Sequence, residues 1–527
     1  MALATRALAL EGRSEGGGAP SPGAVLKMAE RVIREGSLRE GAASSDLGPE
    51  DARGLLEAWL EAMELELQGR ELIVYLQADE FSHAELYRRA RRIHARRVRA
   101  AVAEGTEAAA RGDFMAATGG IFGALVPAIP YAPSAAFLGH EMAKLAERAG
   151  ELPRVAVIAD GIDAMHGVTQ TIAQVRERGV PGFEVEVIGT DREVDRRLPA
   201  VAELDVPFYE GMRLGVPGLP DLVETLAERR YNMIHVTAPG PTGVAATLLA
   251  RITGVPLVGS YHTEFAAYAG LRSDDDGLEQ LARLALAAFY RAPAVILSPS
   301  PASDRSLVEL GADPGRISRW ERGVDVTRFG PTKGDPEAYP GEVKVLYAGR
   351  LTHEKGVALL ADSFLRARRF DPRLHLLLAG GGPEEEELRG RLGGHATFLG
   401  WLEGEELARA YASADLFLFC SSTDTYGQVV VEAGASGLPV VAVEAGGPAT
   451  LVENGRTGLL CPADPDRLAG ALLQLAASPR LRRQMAAAGV MAARARSWQR
   501  AMGQLAAGYG QALELGKAGR AASALAA

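Results

Sequence analysis

Apolar residues follow two regimes along this chain. Between Val25 and about Gly112 they recur at spacings of three and four, as in PEDARGLLEAWLEAMELEL, where Leu55, Leu56, Trp59 and Met63 follow a Pro-Glu-Asp start; this predicts a helical segment. From about Arg154 the texture changes to short continuous apolar runs alternating with helix-length amphipathic ones. RVAVIAD, EVEVIGT, NMIHVTA, PLVGSYHT and AVILSPS form one series; VKVLYAG, LHLLLAG, ATFLGWL, LFLFCSS, PVVAVEA and TGLLCPA form a second. Strands apolar at every position are covered on both faces, as in a parallel sheet between helix layers. The expected fold class is therefore α/β, with two doubly wound domains in tandem, joined at PTKGDPEAYPG. The expected division is a disordered tail 1–24, a helical extension 25–150, a first domain 151–335, a second domain 336–515 with closing helices, and a disordered tail 516–527.

Composition narrows the class. With 527 residues, 47% hydrophobic and 24% charged, the chain is an ordinary globular sequence too long for one domain. A net charge of −10 argues against a dedicated nucleic-acid binder, and none is expected as a partner. Cys420 and Cys461, the only two cysteines, lie in the apolar runs LFLFC and GLLCP and read as reduced core residues. The first residues lack the basic start and hydrophobic stretch of an export signal, so a cytoplasmic location is expected. RRARRIHARRVR places seven arginines between Arg88 and Arg99, and Phe114 to Gly139 carries no charge. This suggests peripheral membrane contact through residues 88–139; the alternative is a solvated helix followed by a segment packed on the catalytic domains. Pro127, Pro130 and Pro133 argue against a spanning helix.

Ligands of doubly wound sheets bind beyond the carboxyl ends of the strands, so the loops after the apolar runs are the places to look. After VKVLYAG, Arg350 and Lys355 lie five positions apart at the start of a helix, where two cations and free N–H groups suit a diphosphate. After LHLLLAG, Gly380, Gly381 and Gly382 permit close backbone approach to a ligand, although helix initiation explains the Pro-Glu run equally well. These glycines do not spell G-x-G-x-x-G, which counts against a dinucleotide cofactor. After LFLFCSS comes DTYGQVVVE, where Asp424 and Glu432 could both face one crevice and accept paired hydrogen bonds from vicinal sugar hydroxyls.

GRLTHEKG, the AGGGP loop, DTYGQVVVEAGASGLPVV and GGPATLVENGRTGLL, in this order, resemble the donor half of retaining glycosyltransferase family 4, which has the GT-B fold. HGVTQTI, SYHTEF and ERGVDVTRF agree in the first half, and the resemblance covers about residues 153 to 500. It implies two Rossmann-like domains facing a cleft. It further implies that Arg350 and Lys355 hold the diphosphate of a nucleotide-sugar, that Glu432 binds the ribose, and that Asp424 with the backbone of Tyr426, Gly427 and Gln428 addresses the sugar. Asp424 stands where the family usually has Glu, one methylene longer. Gly167 and Gly381 match backbone positions close to the donor, although His166 replaces a frequent second glycine, and His262 matches a histidine facing the sugar. Gly400-Trp401-Leu402 falls where such enzymes contact the base, with core packing the competing reading of Trp401. The SDDDG segment reads as a solvated loop, and no metal or cofactor is expected beyond the nucleotide-sugar co-substrate.

The resemblance implies a metal-independent retaining hexosyl transfer, by same-face displacement, from a GDP- or UDP-hexose of mannose or glucose type to a lipid or glycan hydroxyl. It is nearest in look to bacterial mannosyltransferases and sulfolipid synthases. The alternative is a degenerate donor-binding scaffold or regulatory protein in which Asp424 marks lost activity.

Overall fold

The computed structural model describes residues 64–65, 71, 83–111, 151–161, 167–205, 213–262 and 276–526. The tail 1–24, the run Phe114–Gly139 and His166 lie outside them. Of the helix expected over 49–67, only Glu64 and Leu65 are described, and Glu64 sits in a turn at φ 54°.

The arginine-rich run does form a helix, α1 (His83–Ala110). Its buried stripe is Ala90, Ile93, His94, Val98, Ala101 and Ala108, at the three- and four-residue spacing of one helical face. The first domain then lays down β1 (Arg154–Ile158), α2 (Gly167–Arg178), β2 (Glu184–Gly189) and β3 (Arg196–Arg197). An antiparallel hairpin follows, β4 (Ala200–Asp205) and β5 (Arg213–Pro217), and α1 packs on it through Val98, Ala101, Val102, Val201, Ala202 and Val216. The helix is thus seated on the first domain: Arg91 bonds Asp221 and Glu224, Arg99 donates to the Val201 carbonyl at 3.0 Å, and the Leu219 N–H donates to His94 Nε2 at 3.1 Å.

The rest of the domain comprises α3 (Leu219–Arg229), β6 (Met233–Val236), α4 (Pro241–Thr253), β7 (Leu257–Ser260), α5 (Asp276–Arg291), β8 (Val295–Ser298), α6 (Pro301–Glu309) and β9 (Ile317–Arg319). Seven strands pair in parallel in the order β3-β2-β1-β6-β7-β8-β9. Asp276 and Gly277 of the SDDDG segment open α5, so its last two residues are helical and not a loop; Ser273 to Asp275 are not among the described residues. The hairpin and β9 carry few fully apolar positions, and the apolar-run criterion passed over them.

The second domain contains β10 (Val343–Ala348), α7 (Val357–Phe370), β11 (Leu374–Ala379), β12 (Ala396–Gly400), β13 (Leu416–Phe419), α8 (Gln428–Ala435), β14 (Val440–Val443) and β15 (Gly458–Cys461). These are the six runs of the second sequence series, ordered β12-β11-β10-β13-β14-β15 and all parallel. All six residues of β10 are buried, as a central strand between two helix layers requires. Strand order reverses between β10 and β13, which opens a crevice at their carboxyl ends. Both cysteines are buried and unbridged.

The closing helix α9 (Trp498–Ala526) returns to the first domain instead of finishing the second. Trp498, Met502, Leu505, Tyr509 and Ala512 share a core with Val157, Val258 and Leu297. It also runs through the segment expected as an unstructured tail. Alanine-rich composition, read there as low complexity, is the strongest helix former. No helix among the described residues is long and apolar enough to cross a membrane.

Candidate functional site

The loop leaving β10 is pinned at once: the Tyr347 hydroxyl donates to the Arg350 carbonyl at 2.6 Å. The Arg350 guanidinium lies 3.5 Å from the carboxylate of buried Glu354. A single 3-10 turn, His353–Lys355, brings the chain to Gly356, whose φ of +67° is left-handed and whose added Cβ would stand 2.3 Å from the Cys420 carbonyl. Only glycine permits this approach, and it presses the loop after β10 against the loop after β13. Ser421 and Thr423 complete the seam by donating to the Glu354 carbonyl at 2.9 and 3.2 Å.

Across that seam Lys355 Nζ meets Asp424 Oδ2 at 2.6 Å. Burial pushes the Asp424 carboxyl up, but Lys355 and the backbone N–H groups of Tyr426 and Gly427 outweigh it and hold the group below the usual carboxylate range. The cation expected at a diphosphate and the carboxylate expected at a sugar are therefore one ion pair at the switch point. Gly427, at φ +93° with Pro448 2.9 Å from an added Cβ, then turns the chain into α8.

Glu432 lies one turn into α8 and is buried. It accepts from the Tyr411 hydroxyl at 3.2 Å and the Gln428 amide at 3.4 Å. Burial lifts its carboxyl to about 7 against the pull of those bonds. Asp424 and Glu432 thus have different partners and opposite shifts.

The same loop reaches the first domain. Thr425 Oγ1 donates to the His262 carbonyl at 2.8 Å, and the Thr425 carbonyl accepts from Ser300 and Ser303 at 2.7 and 3.2 Å. The Tyr426 hydroxyl donates to the Arg322 carbonyl at 2.8 Å, and the Gln428 amide to the Gly323 carbonyl at 3.0 Å. Arg322 donates to His262 Nδ1. Buried Arg322 was not singled out in the sequence. It stands within ERGVDVTRF, but a buried arginine reads in sequence like any surface one.

Of the remaining positions, Gly381 abuts the loop after β10, its carbonyl accepting from the Leu351 N–H at 2.9 Å. Gly167 opens α2 beyond β1, with open space around its Cα. Gly381 faces the indole of Trp401, whose Nε1 would be 2.9 Å from an added Cβ. Trp401 is 52% exposed, so the core reading of it falls away. Asp160, at the end of β1, accepts from the N–H groups of Thr242 and Gly243 at 3.2 and 3.0 Å and caps α4 across the first domain's own switch point; burial raises it to about 6. No group of three metal-ligating side chains occurs among the described residues.

Comparisons agree with this architecture. Residues 167–328 match the family model described as Glycosyltransferase Family 4, and residues 342–478 match Glycosyl transferases group 1. A GDP-mannose-dependent alpha-mannosyltransferase of Mycobacterium tuberculosis is 33% identical over 332 residues, 59% of this chain and 84% of that protein. The sulfoquinovosyl transferase of Arabidopsis thaliana is 32% identical over 53% of this chain; the match spans 57% of the plant protein, less than two thirds of its length. Among solved structures, sucrose-phosphate synthase from Thermosynechococcus elongatus superposes with a TM-score of 0.57 at 23% identity, covering 68% of this chain and 98% of its own. HepE of Anabaena, solved with UDP and glucose, gives 0.53 at 18%, covering 68% of this chain and 98% of its own. At these identities the structures attest the two-domain GT-B fold.

Proposed function

Because this chain belongs to glycosyltransferase family 4, we propose that it transfers a hexose from a nucleoside-diphosphate sugar to an acceptor hydroxyl with retention of anomeric configuration. The observation that carries this reading is the Lys355–Asp424 pair at the switch point, with Arg350 beside it and His262 tied to the same loop through Thr425. Arg350 and Lys355 are the cations that take up the charge growing on the departing diphosphate, a task they perform without a metal ion. Asp424 and the backbone of Tyr426, Gly427 and Gln428 address the sugar, with His262 across from them. Glu432 takes the ribose, Gly167 and Gly381 give the phosphates room, and exposed Trp401 offers its face to the base. The acceptor oxygen attacks the anomeric carbon from the face the diphosphate leaves; the carbon–oxygen bond to phosphate breaks as the new one forms. The acceptor proton passes to the departing phosphate oxygen.

The name of the mycobacterial relative supports a GDP-mannose donor, with a UDP-hexose the other reading, and the acceptor we propose is a lipid or glycan hydroxyl. We assign the enzyme to the cytoplasmic face of a membrane, with the exposed Arg88 and Arg92 of α1 against anionic lipid. Asp424 reaches Lys355 despite its shorter side chain, which supports an enzyme over a binding-only scaffold. Melting the protein with UDP, GDP and ADP tests the reading, since a ligand at 100 times its Kd adds about 2.7 kcal/mol. A shift with one nucleotide, lost in Glu432→Ala, supports it and names the base; no shift with any overturns it.

A further inference from the structure

His262 and Arg322 come from different loops of the first domain, yet their side chains meet. A guanidinium has donors only, so Nδ1 of His262 must accept, and the proton of the neutral ring resides on Nε2. Arg322 is itself fixed on every side: it lies 4.6 Å from the centroid of the Trp320 ring, donates to the Trp320 carbonyl at 3.3 Å, and is 7% exposed. Its backbone carbonyl receives the Tyr426 hydroxyl from the donor loop. A buried cation against Nδ1 also opposes a second proton on the ring, because little water screens the two charges.

We propose that Arg322 is a positioning residue that locks His262 in its neutral, Nε2-protonated tautomer, making it a hydrogen-bond donor to the transferred sugar and neither a base nor a cation. The role in transfer rests on the reading of His262 as the sugar-facing residue; the tautomer does not. The groups around the imidazole fit this assignment. Trp320 meets it edge-on at 5.6 Å, and His235 on β6 lies behind that indole at 5.8 Å. Thr425 engages its backbone from the donor loop, where the Lys355–Asp424 pair is internally neutralised. A neutral donor suits a sugar hydroxyl, whereas an imidazolium would set a second cation directly against Arg322.

The test is nitrogen-15 NMR of histidine-labelled protein between pH 5.5 and 8.5, with the His262 signals assigned by their loss in His262→Gln. In the wild type His262 should keep the Nε2–H signature throughout. In Arg322→Met the ring should lose that signature, with both tautomers populated. Arg322→Lys, which keeps the charge, should restore most of the wild-type behaviour. In turnover, Arg322→Met should lower kcat by roughly 10- to 100-fold with the donor KM little moved, the pattern of a misaligned reacting group. An acidic limb should also appear in its pH profile. Should Arg322→Met not fold, Arg322→Leu, which also has no donor for Nδ1, carries the same comparison. A wild-type His262 that takes up a second proton within this pH range, or an Nε2–H signature unmoved in Arg322→Met and Arg322→Leu, overturns the assignment. Absence of nucleotide binding would defeat the functional reading while leaving the NMR outcome to decide the tautomer.

Discussion

Lys355 and Asp424, 69 positions apart in sequence, meet at 2.6 Å where the central strands β10 and β13 diverge. Removing one partner of an enclosed ion pair leaves the other desolvated, at up to about 3–5 kcal/mol for full burial and less here, where both side chains retain some exposure. Asp424→Asn should therefore lower the melting temperature and cut kcat by roughly 100-fold, while Asp424→Glu should retain most of both. The pair has a definite pH window. Because the Asp424 carboxyl is held below its unfolded value, its contribution is present at neutral pH and lost as pH falls through the folded value. The difference in melting temperature between wild type and Asp424→Asn should shrink on acidification below pH 4; a constant difference would count against the pair.

Glu432 has the opposite sign. Its folded value of about 7 exceeds the unfolded one, so the stabilisation it gives is complete below the unfolded value and is lost as pH rises through about 7. Glu432→Gln should melt above the wild type at pH 8 and level with it at pH 5. Ribose hydroxyls bond best to the ionised carboxylate, so nucleoside-diphosphate affinity should rise about tenfold from pH 6 to pH 8. Isothermal titration calorimetry reads this directly, and a flat profile would remove Glu432 from the nucleotide site.

The Thr425 carbonyl is held by two serines of the opposite domain. Ser303→Ala removes one of these bonds and leaves the Ser300 cap of α6 in place. Less firm closure admits water to the cleft, so the ratio of donor hydrolysis to transfer should rise while donor affinity changes little. An unchanged ratio would assign the serines to packing alone.

Gly356→Ala places a Cβ against the Cys420 carbonyl in a left-handed conformation. The expected cost is about 1–3 kcal/mol of stability, together with a loss of donor affinity as the two switch-point loops separate. Gly390→Ala, with open space around it inside the helix Glu385–Leu392, is the control and should melt at or slightly above the wild type.

Much of this was legible in the sequence because central strands are covered on both faces and must be apolar throughout. Every run of the second series became a strand, and the loops behind VKVLYAG and LFLFCSS became neighbours because those strands pair, Leu346 beside Phe417. Arg322 was illegible for the converse reason. Its burial depends on His262, 60 positions away and brought to it only by the fold, and on how neighbouring Trp320 packs, so the sequence alone did not separate it from Arg328 six positions on, which is exposed. Closing helices were expected to finish the second domain, but nothing in the sequence could say that Leu505 and Tyr509 would cover the first domain's sheet instead.

That last packing governs how the molecule can be made. The first domain's core includes Tyr509, bonded to His235 at 2.8 Å, and Leu505, so it closes only after the whole second domain has been synthesised. The second domain can fold during synthesis, whereas the first must wait with β1, β7 and β8 uncovered on one face. Chains released before α9 would display a bare hydrophobic sheet, a mark by which quality control can recognise unfinished copies.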